Sequence, residues 1–123
     1  MNLQPSTIVF DFQNLEVYKK SLHFHISCKS ITQNTSLDRH VRDQLTRASY
    51  SIVLNIAEGS GRKSPADRKN FFTISRASVF ECTAIIDILR MENLVDSETH
   101  KRNLELASEI SKMLYVMVRN LSV

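Results

Sequence analysis

The chain has 123 residues, 42% of them hydrophobic and 24% charged, with a net charge of +3. That length fits one domain, and no apolar run is long enough to span a bilayer. The opening Met1-Asn2-Leu3-Gln4-Pro5 lacks the basic and apolar regions of a signal peptide, so the expected location is cytoplasmic. Cys28 and Cys82 have no metal-ligand spacing and read as reduced thiols packed as small hydrophobes.

Residues 1–11 are expected to form an extended lead-in ending in Ile8-Val9-Phe10. Helix 1 is predicted over Leu15 to Gln33. Leu15, Tyr18, Leu22 and Ile26 make one stripe at helical spacing, and Val17, Phe24, Cys28 and Ile31 make a second. So wide an apolar surface calls for more than one neighbour. The polar segment Thr32 to Ser36 reads as a loop. Helix 2 is predicted from Leu37 to Glu58, burying Val41, Leu45, Ala48, Ile52 and Ile56. Its small residues Ala48, Ser49 and Ser51 permit close helix approach.

Both glycines of the chain follow, in Glu58-Gly59-Ser60-Gly61-Arg62. Gly59 stands where helix 2 is expected to end. A left-handed C′ cap with positive φ is the prediction there, and Gly59 and Gly61 together read as a hinge. Ser64-Pro65-Ala66-Asp67 then has the pattern of a helix start: a Ser N-cap, Pro at the first helical position and an acid at the third. Helix 3 is predicted over Pro65 to Met91, with Phe71, Ile74, Ser78, Ile85 and Leu89 on one stripe and Phe72, Val79 and Ile86 widening it. Asn93-Leu94-Val95 makes a turn, Asp96-Ser97 opens helix 4, and helix 4 runs from about Glu98 to Leu121. Its main stripe is Leu104, Ala107, Ile110, Leu114, Met117 and Leu121. Four long helices with short loops imply an all-α, antiparallel up-and-down four-helix bundle, one domain over residues 1–123.

The charge is uneven. Residues 38–76 hold eight Lys/Arg against four acids, whereas residues 77–123 hold five against seven. A basic middle segment can attract polyanions. Arg62, Lys63, Arg68 and Lys69 form the compact candidate cluster for nucleic-acid contact. Arg39 and Arg42 form a separate patch at the far end of helix 2. The alternative is a solvated face whose arginines pair with acids. Arg47, Asn55, Glu58, Arg76 and Glu81 lie close to apolar stripes. Burying an unpaired charge costs on the order of several kcal/mol, so these five are expected to include a hydrogen-bonded network across helices 2 and 3.

The four histidines carry no enzymatic pattern. None is the fourth residue of a Glu-x-x-His pair, which argues against a di-metal bundle, and no serine stands with a histidine and an acid at recognisable spacing. No G-x-x-x-x-G-K-[ST] motif exists. The expectation is a non-enzymatic chain without cofactor or metal.

Phe12-Gln13-Asn14-Leu15-Glu16-Val17-Tyr18-Lys19-Lys20 resembles the F-x-x-L-x-V-aromatic-x-K opening of the bacterial four helix bundle protein family, also called the 23S ribosomal-RNA intervening-sequence protein family. Gln44, Arg47-Ala48, Ser51-Ile52 and Asn55-Ile56-Ala57-Glu58-Gly59 resemble its core signature, and Arg62, Phe71-Phe72, Arg76-Ala77-Ser78 and Glu81 its third-helix pattern. Val53 stands where many members have proline, which should leave helix 2 straighter. Ala77 stands where many have glycine, which should loosen a close helix contact. The resemblance implies a homopentameric ring. It also implies likeness to the accessory variability protein of diversity-generating retroelements, a basic pentameric bundle that binds nucleic acid. The expected partners are therefore other copies of the chain and RNA or DNA. The alternative is a protein-interaction scaffold that recruits an unidentified protein, and no membrane is expected.

Overall fold

The structure, a computed structural model, describes residues 9–121; the first eight residues of the expected lead-in lie outside them. Among the described residues, a 3-10 turn, Asp11–Asn14, precedes four helices: α1 (Glu16–Ile31), α2 (Arg39–Ser60), α3 (Pro65–Met91) and α4 (Ser97–Arg119). Each helix packs on its two neighbours in the cycle α1–α2–α3–α4, and no Cα of α1 comes within 8 Å of one in α3. This is the up-and-down bundle that short loops dictate.

The turn before α1 is closed by Gln13, whose Oε1 accepts from the backbone N–H groups of Val9 and Phe10 at 2.7 and 2.8 Å. The start of α3 is as its sequence prescribes. Ser64 Oγ accepts from the Asp67 N–H at 3.1 Å, with Pro65 at the first helical position. Asp96 caps α4 in the same way, accepting from the Thr99 N–H at 2.7 Å. That bond holds its carboxyl below the usual carboxylate range. The end of α3 is a Schellman motif. Asn93 has φ 61°, Leu94 N–H returns to the Leu89 carbonyl at 2.9 Å, and Asn93 N–H returns to that of Arg90 at 3.1 Å.

The core forms where the apolar stripes face each other. Phe24, Leu45, Ile52, Ile56, Phe72 and Ile86 are fully enclosed. On α1 the Val17–Phe24–Cys28–Ile31 stripe is the buried one, while Leu15 and Ile26 of the other stripe are exposed. On α3 the Phe72–Val79–Ile86 line is central, and Ile74 turns outward. Cys28 and Cys82 meet across the diagonal of the bundle. Hydrogen bonding to Cys82, then burial, pushes the Cys28 thiol far above its ordinary range.

Gly59 corrects the sequence expectation. Neither glycine has positive φ; α2 continues through Gly59 to Ser60 and closes at Gly61 with φ −88°. Gly59 is therefore neither cap nor hinge. A Cβ there would lie 2.7 and 2.9 Å from the ring of Phe72 and 3.0 Å from Phe71 Cβ. Glycine is required because α3 lies against the α2 backbone. Serines tighten the same contact: Ser75 Oγ donates to the Ile52 carbonyl, and the Ser78 and Ser51 hydroxyls meet, both at 2.8 Å. Ala77 is exposed.

Candidate functional site

The α2–α3 corner is built by the end of α2, the four residues Gly61–Ser64 and the first turn of α3. It brings Arg62, Lys63, Arg68 and Lys69 to one end of the bundle. Arg62 reaches back one turn to Glu58, with Nη2 3.0 Å from Oε2, and its guanidinium lies 4.6 Å from the Phe71 ring centroid. Arg68 donates from Nη1 to the Arg62 carbonyl at 3.4 Å and lies 5.9 Å from the Phe72 centroid. Lys63 and Lys69 are exposed. Among the described residues, the ion pairs are Lys19–Glu16, Lys20–Glu109, Arg62–Glu58 and His100–Asp87. Of the six candidate cations, then, Arg62 alone has a carboxylate partner there. Arg39 and Arg42 sit in the first turn of α2, about 30 Å along the helix from the corner, and do not join the cluster.

The expected polar network does not form as one unit. Arg47 is exposed. Asn55 turns back on its own helix, donating to the Ser51 carbonyl at 2.8 Å and Oγ at 3.0 Å. Glu58 serves Arg62. Glu81 accepts from Gln44 Nε2 at 3.4 Å. Arg76 points away from α2 altogether, and its Nε donates to the carbonyl and Oγ of Ser111 on α4, both at 3.2 Å. The α2–α3 seam is held by small neutral hydroxyls instead, which avoids the desolvation of charge.

Arg76 belongs to a cluster that sequence reasoning missed. Its guanidinium lies 4.9 Å from the Phe80 centroid and 5.3 Å from that of Tyr115, and Arg119 lies 5.9 Å from the same Tyr115 ring. The signal was present in the spacing: Arg76 and Phe80 are four apart on α3, and Lys112, Tyr115 and Arg119 share one face of α4.

His25 is a structural polar group. Ser49 Oγ donates to the Thr46 carbonyl at 3.1 Å and so accepts from His25 Nδ1–H at 2.8 Å, a tautomer assigned from this bonding. Burial, with Lys29 nearby, lowers the His25 pKa. Ser49 is fully enclosed and unable to meet a substrate. Among the described residues, no group of three or more His, Cys, Asp or Glu side chains could hold a metal ion. Among those residues, too, no helix is long and apolar enough to cross a membrane.

These features define an all-α helical bundle with a basic, arginine-on-aromatic surface. The sequence pattern of the 23S rRNA-intervening sequence proteins matches residues 13–116, and the chain belongs to that family. Among solved structures, it is similar to a protein of unknown function from the S23 ribosomal protein family of Bacteroides thetaiotaomicron VPI-5482. The TM-score is 0.79 at 24% identity, covering 83% of this chain and 97% of the other, which establishes the shared fold. No curated protein matches the chain. Neither the family nor the structural relative indicates a catalytic class.

Proposed function

We propose that this protein is a non-enzymatic, cytoplasmic, oligomeric bundle that binds nucleic acid through phosphate contacts at its α2–α3 corner. The observation that carries this reading is the exposed, unneutralised charge there: Lys63 and Lys69 have no carboxylate within 4.0 Å among the described residues, and they flank Arg62 and Arg68. Contacts of this kind hold a backbone without reading bases. A ring would multiply a weak patch, and exposed apolar residues support self-association. Ile26, Tyr50 and Leu54 on the α1–α2 side are 54%, 49% and 58% exposed. The family resemblance points to five copies.

The test is a double charge reversal, Arg62→Glu with Lys63→Glu, assayed with labelled RNA and DNA oligonucleotides of several sequences. The expected outcome is that binding weakens alike for all sequences and that light scattering gives the same mass as for the unaltered chain. Unchanged affinity contradicts the reading. The Arg62–Glu58 pair favours a second one, a scaffold ring in which arginine serves the protein's own structure and the recruited partner is a protein. Binding to host proteins that survives nuclease treatment supports that alternative.

A further inference from the structure

We infer that the groove between α3 and α4 is a track for single-stranded nucleic acid; this rests on the nucleic-acid reading of the corner and names the form of polymer bound. The groove is a hollow of about 930 Å³, lined by Val79, Leu104 and Ala107 together with Arg76 and Lys112. A smaller hollow of about 230 Å³, between Thr73, Arg76, Tyr115 and Val118, adjoins it at Arg76. On α3, Lys69, Thr73, Arg76 and Phe80 follow one face. On α4, Lys112, Tyr115 and Arg119 follow the facing one. Cations and aromatic rings therefore share this side of the bundle. This is how sequence-tolerant single-strand sites are built: charge tracks the backbone, and apolar or planar surface receives the bases.

Arg76 is the centre of the track. Its Nε is committed to Ser111 and its guanidinium lies 4.9 Å from the Phe80 centroid and 5.3 Å from that of Tyr115, which leaves its terminal nitrogens for phosphate oxygens. Arg76 and Arg119 share one tyrosine ring, and no carboxylate lies within 4.0 Å of either among the described residues. Two cations beside one ring without a carboxylate partner suit an external anion. Of the two acids lining the groove, Glu109 is taken by Lys20 at 3.0 Å, and Glu105 has no such partner among the described residues. A duplex is disfavoured because its bases are stacked inside. The apolar floor would then have nothing to cover.

The experiment measures binding of a labelled 20-nucleotide oligo-dT to the full chain over a salt series, with a 20-base-pair duplex and poly-L-glutamate as competitors. Each lost phosphate contact on a single strand lowers the salt slope by about 0.7 and the affinity at 0.1 M salt about fivefold. Arg76→Gln should show that loss. Lys112→Gln with Arg119→Gln should lose about 25-fold, two such contacts. These last two residues are exposed, so the bundle does not depend on them. Oligo-dT should outcompete both the duplex and poly-L-glutamate. If the corner double reversal weakens binding while all groove variants bind with unchanged affinity and slope, the track is wrong and the corner reading survives. Equal competition by the duplex or by poly-L-glutamate also overturns the track. Absence of oligonucleotide binding by the unaltered chain overturns the corner reading itself.

Discussion

Gly59 and Gly61 are two residues apart and do different work. At Gly59 an added methyl meets the enclosed Phe72 ring, and overpacking of this kind costs about 1–3 kcal/mol, more than the ~1 kcal/mol of helix propensity that alanine contributes. At Gly61 the nearest atom, the Glu58 carbonyl oxygen, is 3.6 Å away, and φ suits any residue. Gly59→Ala should therefore lower the denaturation midpoint, and Gly61→Ala should leave it unchanged or raise stability by about 0.4–1 kcal/mol. Equal effects at the two sites would contradict the packing account. The thiols supply a second residue-scale prediction. Cys28 and Cys82 touch, but their Cα atoms are more than 8 Å apart, beyond the span of about 4.4–6.8 Å that a disulfide requires. Both thiols should resist Ellman's reagent and mild oxidants in the native state and react on unfolding. A disulfide formed in the folded protein would show that α1 and α3 approach one another. His25 gives a pH dependence. Its pKa is lowered on folding, so the unfolded chain takes up the proton first. The stability it supports is complete above the unfolded value near 6.5 and is lost as pH falls through the folded value. His25→Asn should flatten the stability–pH profile below 6.5.

Helix boundaries were legible because local chemistry sets them. Ser64-Pro65-x-Asp67 carries its own capping geometry, and α3 runs over Pro65–Met91 as its pattern predicts. The end of α2 was misread for a physical reason: a glycine that caps and a glycine that admits a neighbouring ring look alike in sequence. What distinguishes them is the position of Phe72, a tertiary fact. The same holds for Arg76. Its distance from the apolar stripe was visible, but whether it turned toward α2 or α4 depended on the rotation of α3 in the bundle. The Schellman turn after α3 was read only as a turn. Asn93→Val places a β-branched residue at φ 61°, and strain of about 1–2 kcal/mol should appear as a lowered melting temperature, whereas Asn93→Gly should be tolerated. Equal stability of the two variants would contradict the left-handed turn.

For the whole molecule, the bundle buries one stripe of each helix and leaves other apolar residues outside. Leu54 and Ile88 are 58% and 56% exposed, a pattern that association would relieve. Light scattering at micromolar concentration should give about five times the 14.1 kDa chain mass. A well-behaved monomer would contradict the proposed ring and the multiplication of charge argued from it. The central claim is that exposed cations at the corner bind phosphates. Its most direct test is the slope of log binding constant against log salt for a labelled single strand between 50 and 200 mM. Four phosphate contacts predict a slope of about −2.8 or steeper. A flat slope, or no binding at 50 mM, would contradict it.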